Sequence, residues 1–81
     1  MKAKRILAHV TWLDPQTHVG WFSIESVKEM MPATVHSSGI LVRESGGMIA
    51  LTTSMCENGD VTDPLIIPKK LVLKIKKEVL K

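Results

Sequence analysis

A Gly-Gly turn between two apolar segments restricts the fold of this chain more than any other feature. The turn is Glu44-Ser45-Gly46-Gly47, and glycine adopts the positive φ angles of a tight hairpin without steric cost. After it, the segment from Met48 to Met55 alternates larger apolar residues with smaller and polar ones, which is the period of a strand. The pattern predicts an antiparallel β-hairpin, and therefore a fold built on a sheet.

The segment before the turn, from Thr34 to Arg43, also reads as extended chain. Its apolar residues Ile40, Leu41 and Val42 are consecutive, which is typical of a strand that is covered on both faces. We therefore expect these three residues to be covered on both faces of the sheet.

An earlier strand is predicted from Arg5 to Leu13, because apolar residues alternate there with mixed ones. Asp14-Pro15 ends it, since proline cannot donate a hydrogen bond to a neighbouring strand. The face that we expect to meet the core consists of Ile6, Ala8, Val10 and Trp12.

A short amphipathic helix is predicted between this strand and the next. Ser23 is suited to the N-cap and Glu25 to the first turn, and Pro32 ends the segment. The apolar residues Ile24, Val27, Met30 and Met31 recur at helical spacing. We expect this helix to lie on the sheet and close one side of the core, with methionines 30, 31, 48 and 55 packed inside.

The last third of the chain predicts two more strands. After a turn at Glu57-Asn58-Gly59-Asp60, Leu65-Ile66-Ile67 predicts a short buried strand with Pro68 at a sheet edge or bend. Residues 70–81 fit either a strand or a helix. The preceding proline and the β-branched residues favour a strand to about Lys77. That strand has Leu71, Leu73 and Ile75 inside and Lys74 and Lys76 outside.

These elements give a mainly β fold of the α+β class, with five short strands and one short helix in a single domain, residues 1–81. A small, strongly bent, five-stranded antiparallel barrel of the SH3-like or Sm-like kind is the economical arrangement, because closure removes exposed strand edges. A domain of 81 residues buries only a little over ~60% of its unfolded surface. We therefore expect a homo-oligomer.

Charge is unevenly distributed along the chain. Residues 1–5 and 69–81 hold nine of the 11 lysines and arginines but one of the eight acidic residues, a charge of +8 against −5 for residues 6–68. If the two ends lie side by side, they form a basic flank that favours an anionic partner, nucleic acid included, or head-to-tail self-association. Terminal lysines also serve as plain solubilising surface.

Several classes of protein are disfavoured. No apolar segment approaches the ~18 residues of a membrane span. The N-terminal segment has too few apolar residues before His9 for a signal peptide. We therefore expect a cytoplasmic protein that does not contact membranes. The single Cys56 has no second cysteine for an internal disulfide or a zinc knuckle, and we expect its thiol to be buried or idle.

Catalytic and metal-binding patterns are also missing from the sequence. It has no phosphate-binding glycine loop, nucleophile elbow or His-x-x-x-His pair, and His9, His18 and His36 are dispersed. A Ser37 or Ser38 nucleophile with His36 as its base has poor geometry, because neighbouring residues on a strand point to opposite faces. We predict no catalytic residues, no metal and no cofactor.

Two segments are candidates for ligand binding. Trp12 and Trp21 flank a loop that holds Asp14 and His18, an arrangement that suits base stacking. Trp12 belongs with the core face, which leaves the other tryptophan and His18.

The second segment is His36-Ser37-Ser38-Gly39, where small hydroxyls and a glycine allow a phosphate or carboxylate to approach closely, although Ser-Ser-Gly also indicates a β-bulge. Arg43, Lys69 and Lys70 are the nearest cationic candidates to neutralise an anion there. The candidate ligand-binding residues are His18, Trp21, Ser37, Ser38, Arg43 and Lys69.

Four motifs together resemble a family of short uncharacterised proteins encoded by bacteriophages and prophages. They span nearly the whole chain and are Val10-Thr11-Trp12-Leu13-Asp14, Gly20-Trp21, Ser37-Ser38-Gly39-Ile40-Leu41-Val42 and Ile67-Pro68-Lys69. The resemblance implies expression in the cytoplasm of an infected bacterium, among small anti-defence proteins, and brings no established catalytic residues.

Three functions follow as hypotheses. The first is a non-enzymatic phage accessory protein that binds and sequesters an anionic nucleotide-type signalling ligand. The second is a nucleic-acid-binding small barrel whose basic termini contact phosphates. The third is an inhibitor of a host protein that acts through protein-protein contact at a strand edge or at an acidic flank formed by residues 6–68.

Overall fold

A computed structural model describes residues 5–80, so that Lys2, Lys4 and Lys81 of the predicted basic flank lie outside the described residues. The elements in chain order are β1 (Arg5–Asp14), α1 (Ile24–Glu29), β2 (Ala33–Ser45), β3 (Met48–Thr52), β4 (Leu65–Pro68), the 3-10 helix η1 (Lys69–Leu71) and β5 (Val72–Leu80). All five strands pair antiparallel in one sheet of order β4-β3-β2-β1-β5. The mainly β prediction is confirmed, and β4 and β5 form the edges of an open sheet.

The core lies on one face of the sheet, which we call the inner face. Its buried residues come from β1, β3 and β4, as the alternation in the sequence predicts. Ala8 and Val10 of β1 are buried, and Trp12 packs against the same cluster. The other members are Ile49, Leu51 and Ile67, with Leu41, Leu65, Val72 and Ile75 packed at the margin.

Strand β2 bends over this core at two places. At Gly39 an added Cβ would lie 2.7 Å from the carbonyl oxygen of Thr52, so glycine is what allows β3 to approach. Farther along, the register with β3 shifts between Leu41 and Arg43, which leaves Val42 unpaired and exposed. The expectation that the whole apolar run is covered on both faces is wrong for Val42, because the bulge turns it outward.

The bend carries the end of β2 across the sheet to β5, although β1 lies between these two strands. Lys77 Nζ on β5 donates to Glu44 Oε1 at 2.5 Å. This hydrogen bond from the ammonium group lowers the pKa of Glu44, against the opposing effect of burial. The ion pair therefore ties together two non-adjacent strands at the curved end of the molecule.

A second irregularity lies between β1 and β5. Thr11 pairs with Lys74 but Trp12 pairs with Val72, so Leu73 is the extra residue of a bulge and is exposed. The strand prediction for this segment is confirmed, and the strand continues to Leu80. The prediction that Leu73 faces the core is wrong, because the bulge gives the inward position to Val72.

The β2–β3 hairpin is confirmed, with positive φ at Gly46 (60°) and Gly47 (74°). Strand β3 is shorter than predicted and ends at Thr52, whose buried hydroxyl donates to the carbonyl of Thr62. This hydroxyl therefore connects the end of β3 to the loop that follows it.

Strand β4 lies at an edge, which confirms the prediction for Pro68. Its inward residue Ile67 is buried, whereas Ile66 points to the opposite face and is exposed. The prediction of a buried strand therefore holds for one of its two faces.

Residues 15–32, which we call the arm, connect β1 to β2 and contain α1. The helix is capped as predicted, since Ser23 Oγ accepts from the Ser26 backbone N–H at 3.1 Å. Its predicted position is wrong: none of its residues is buried, and Met31, expected in the core, is exposed. The physical reason is that β3 pairs with β2 only from Ile40 onward, so the far end of the β1–β2 ribbon offers no second layer for the helix.

Candidate anion-binding face

The face opposite the core carries two rows of polar and basic side chains. In the first row, His9 of β1 pairs with Lys76 of β5 and Ser38 of β2; in the second, Thr11 pairs with Lys74 and His36. Paired residues on adjacent strands project to the same side, about 4.8 Å apart, and the rows are separated by two residues, about 6.8 Å. We call these six residues the outer face.

Hydrogen bonds fix the imidazoles within these rows. His9 Nδ1 lies 2.8 Å from Ser38 Oγ, and His36 Nδ1 lies 3.1 Å from Thr11 Oγ1. Each bond uses Nδ1, so Nε2 is the ring nitrogen that a ligand would meet at His36. At His9, Nε2 lies 3.7 Å from a carboxylate oxygen of Glu78. The face thus combines hydrogen-bonded ring and hydroxyl groups with the ammonium groups of two exposed lysines, a combination suited to phosphate or carboxylate oxygens.

An open cleft begins where the rows end. Its volume is about 570 Å³, and its lining residues are Arg5, Ile40, Met55, Cys56 and Glu57. Ile40 is two residues beyond Ser38 on β2 and shares its face. The lining combines a guanidinium with a carboxylate, and its thiol is exposed. The cleft by itself favours neither an anion nor a cation, but it adjoins a face that favours an anion.

The sequence-predicted site residues occupy three places. Ser38 lies in the outer face, where its hydroxyl bonds His9. Ser37 points to the inner face, and its Oγ accepts from the indole Nε1 of Trp12 at 3.0 Å. The adjacent serines are therefore on opposite sides of the sheet, and Ser37 supports the packing of a core tryptophan.

The predicted cations Arg43 and Lys69 lie beside the glycine turn of the hairpin. Arg43 Nη2 is 2.7 Å from the position that a Cβ on Gly46 would take, and the Lys69 backbone N–H donates to the Gly47 carbonyl at 2.8 Å. These two residues are brought together, at the curved end of the molecule.

The predicted aromatic pair lies in the arm. Trp21 is fully exposed, and His18 meets the edge of Phe22 with ring centroids 6.2 Å apart at 83°. Trp12, assigned to the core face, packs there as expected. The arm therefore presents an accessible aromatic surface, separate from the serines and from the cations.

Sequence reasoning missed His9 and Thr11 as site residues, and it placed His36 in a candidate segment without including it among the ligand-binding residues. It found that Lys74 and Lys76 point outward, because alternation along one strand is visible in the sequence. The rows depend instead on β1 lying between β2 and β5. The sequence contains no local signal for that order. The pairing of Arg5 with Leu80 does place the two basic ends of the chain side by side, the arrangement that the charge distribution left open.

The described residues have neither a metal-binding cluster nor a membrane-spanning helix. Residues 5–80 contain no group of three or more His, Cys, Asp or Glu side chains placed to hold a metal ion. In the same residues, no helix has both the length and the apolar character needed to cross a bilayer.

Comparison with known proteins gives no match to a family model, to a curated protein or to a solved structure.

Proposed function

We propose that the protein is a non-enzymatic binding protein for an anionic, nucleotide-type ligand, whose phosphate groups lie on the outer face. The observation that carries the proposal is the pair of rows, in which two lysines and two histidines lie on three adjacent strands beside two hydroxyls. Charge-assisted hydrogen bonds of this kind are roughly twice as strong as neutral ones. The adjoining cleft provides space for a base or sugar.

The fold that supports this site is proposed to be a strongly bent, SH3-like or Sm-like open barrel. Two features favour it: the strand order β4-β3-β2-β1-β5, and the Lys77–Glu44 contact between strands that are not neighbours. In such folds the outer surface and the loops are available for ligands.

The biological setting is proposed from the resemblance to phage-encoded proteins. A small protein made in the cytoplasm of an infected bacterium would act by sequestering a nucleotide-type immune signal. Sequestration needs binding without turnover, which is consistent with a site formed by cations and hydroxyls.

A second candidate function is binding of single-stranded nucleic acid. It is favoured by the openness of the outer face, where Lys74 and Lys76 repeat at the two-residue spacing of one strand. A repeating cationic row on an open surface fits a polymer backbone, which runs past the site instead of ending in it.

The test is a thermal-shift screen of the full chain against cyclic dinucleotides, cyclic trinucleotides and ADP-ribose derivatives. A ligand at one hundred times its Kd stabilises the protein by about 2.7 kcal/mol, which raises the Tm of a domain of this size by roughly 10 °C or more. We expect the shift in the wild type and its loss in the Lys74→Gln/Lys76→Gln variant.

The matched control is Lys69→Gln/Lys70→Gln, which removes the same charge at η1 and away from the rows. Equal loss of the shift in both variants would show that net charge matters and the rows do not. A parallel titration with short single-stranded RNA and DNA at two salt concentrations tests the second candidate. Loss of two phosphate contacts should reduce the slope of log K against log salt by about 1.4.

If no small ligand shifts the Tm and no polymer binds, both candidates fail. That result would leave the third hypothesis, inhibition of a host protein through direct contact.

A further inference from the structure

The arm exposes a group of large apolar side chains that lie close together in the sequence, each with about half or more of its surface uncovered by the described residues. Trp21 and Val19 are exposed at 101% and 92% of their reference areas, and Met31 and Ile24 at 77% and 70%. Phe22 and Val27 are also exposed. Scattered apolar residues on a surface need no explanation, but six within 13 consecutive residues mark a contact surface.

The total surface of the chain is also too large for a compact monomer. A folded protein of 9.0 kDa is expected to expose about 4,900 Å², whereas this chain exposes 6559 Å² in an elongated shape of 59 × 21 × 21 Å. The difference, about 1,700 Å², is twice the ~800 Å² that one partner contributes to a standard protein interface. Half of the excess would be enough for a stable dimer.

The charges of the arm indicate the kind of partner. The helix carries Glu25, Glu29 and Lys28, so it has both signs and a net negative charge. An anionic membrane surface or a nucleic acid would favour a basic helix instead. A surface with an apolar centre and both signs of charge beside it is self-complementary, because a two-fold axis can bring Lys28 of one protomer to a glutamate of its partner.

We infer that the arm is a dimerisation element that packs against the same arm of a second copy of this chain. The exposed aromatic and aliphatic residues of the two arms form the centre of the interface, and the helix charges lie at its rim. This arrangement also explains why a six-residue helix is present far from the core, since a helix this short is marginal without packing. The inference does not depend on the anion-binding proposal.

The experiment measures the molar mass of the full chain by light scattering and by sedimentation equilibrium, from 5 to 500 µM. The wild type is expected to have twice the 9.0 kDa of one chain. In Trp21→Asp/Ile24→Asp, four apolar side chains per dimer lose their burial, so we expect the dimer Kd to rise by more than about 1,000-fold. That variant should have the mass of one chain at 50 µM.

The control is Ile66→Asp/Leu73→Asp, which makes the same change at two exposed apolar residues of the sheet. It should remain a dimer. Circular dichroism establishes that both variants are folded. Tryptophan fluorescence gives an independent signal: the wild-type emission should shift to the blue as concentration rises, and Trp21→Phe, which keeps the core Trp12, should lose that shift.

A wild-type mass of 9.0 kDa at 500 µM would overturn the inference. So would an oligomer that the sheet variant dissociates and the arm variant leaves intact, because the contact would then lie at the strand edges. An arm-dependent assembly larger than a dimer would contradict the two-fold arrangement.

Discussion

The two ends of the β1–β2 ribbon use similar residues to different effect. At the curved end, Gly39, the bulge at Val42 and the hairpin place β3 and β4 over β1 and bury Ile49, Leu51 and Ile67. At the other end, six large apolar residues of the arm are exposed, and none of the residues in its helix is buried. Apolar content is therefore not what decides burial in this chain.

The difference lies in what each end can pack against. The curved end folds back on itself, so each inward side chain meets a second layer, as a sheet of this size requires. Beyond the Ile40–Thr52 pair, where β3 ends, the ribbon has no second layer, and a six-residue helix cannot provide one. Local patterns specify the helix and its cap, but only tertiary neighbours can bury it.

The largest expected effect comes from truncating matched isoleucines at the two ends. Ile49 is fully buried and Ile24 is mainly exposed. We expect Ile49→Ala to lower the free energy of unfolding by about 3 kcal/mol, because it leaves a cavity in the core. Ile24→Ala should change it by less than about 0.5 kcal/mol in the monomer. Urea denaturation measures both, at a protein concentration low enough for the molar mass to be that of one chain.

The same measurement at high concentration sharpens the comparison. If the arm packs only in the dimer, the cost of Ile24→Ala should grow with protein concentration, while that of Ile49→Ala should stay the same. Equal costs at low concentration would show that the arm is part of the monomer core, which would break the comparison.

An intermediate effect is expected at Gly39, where the curvature begins. Gly39→Ala places a Cβ 2.7 Å from a backbone oxygen of Thr52, so β2 and β3 must separate locally. We expect a loss of about 1–3 kcal/mol in unfolding free energy, the range for overpacking a tight contact. The control Ser38→Ala, on the opposite face, removes an exposed hydrogen bond to His9 and should cost less than about 1 kcal/mol. A variant at Gly39 as stable as the control would show that the bend does not depend on this contact.

Sequence patterns predicted much of the curved end, because its signals are local. Alternation along β1 identified Ala8 and Val10, and the glycines at 46 and 47 identified the hairpin. The bulges at Val42 and Leu73 were missed, since a bulge depends on the register between two strands that are distant in sequence. Each bulge moved one apolar residue from its predicted place in the core to the surface.

For the arm and the candidate site the limit was different. Ser23 and Glu25 predicted the helix correctly, and the error was to assume a sheet surface beneath it. At the outer face, the position of Lys76 followed from alternation, but its row with His9 required the strand order. Residues that share a site through pairing of distant strands leave no trace in local spacing.

The smallest expected effect concerns the Lys77–Glu44 pair at the curved end. The ammonium group lowers the pKa of Glu44 below its ordinary 4.5. A carboxyl whose pKa is lower in the folded state contributes stability above its unfolded pKa, and this contribution is lost as the pH falls through the folded value. Both side chains are partly exposed, at 40% for Lys77 and 29% for Glu44, so we expect Lys77→Gln to cost at most about 0.5 kcal/mol at pH 7.

The pH dependence separates this pair from general charge effects. The stability gap between wild type and Lys77→Gln should narrow as the pH falls from 6.5 to 3, and carboxyl NMR should give a higher pKa for Glu44 in the variant. Lys76→Gln, on the outer face, removes the same charge and should leave the pKa of Glu44 nearly unchanged. A gap that stays constant over this pH range would mean that Lys77 supports the curved end through the packing of its aliphatic stem, and that the contact between β2 and β5 does not depend on charge.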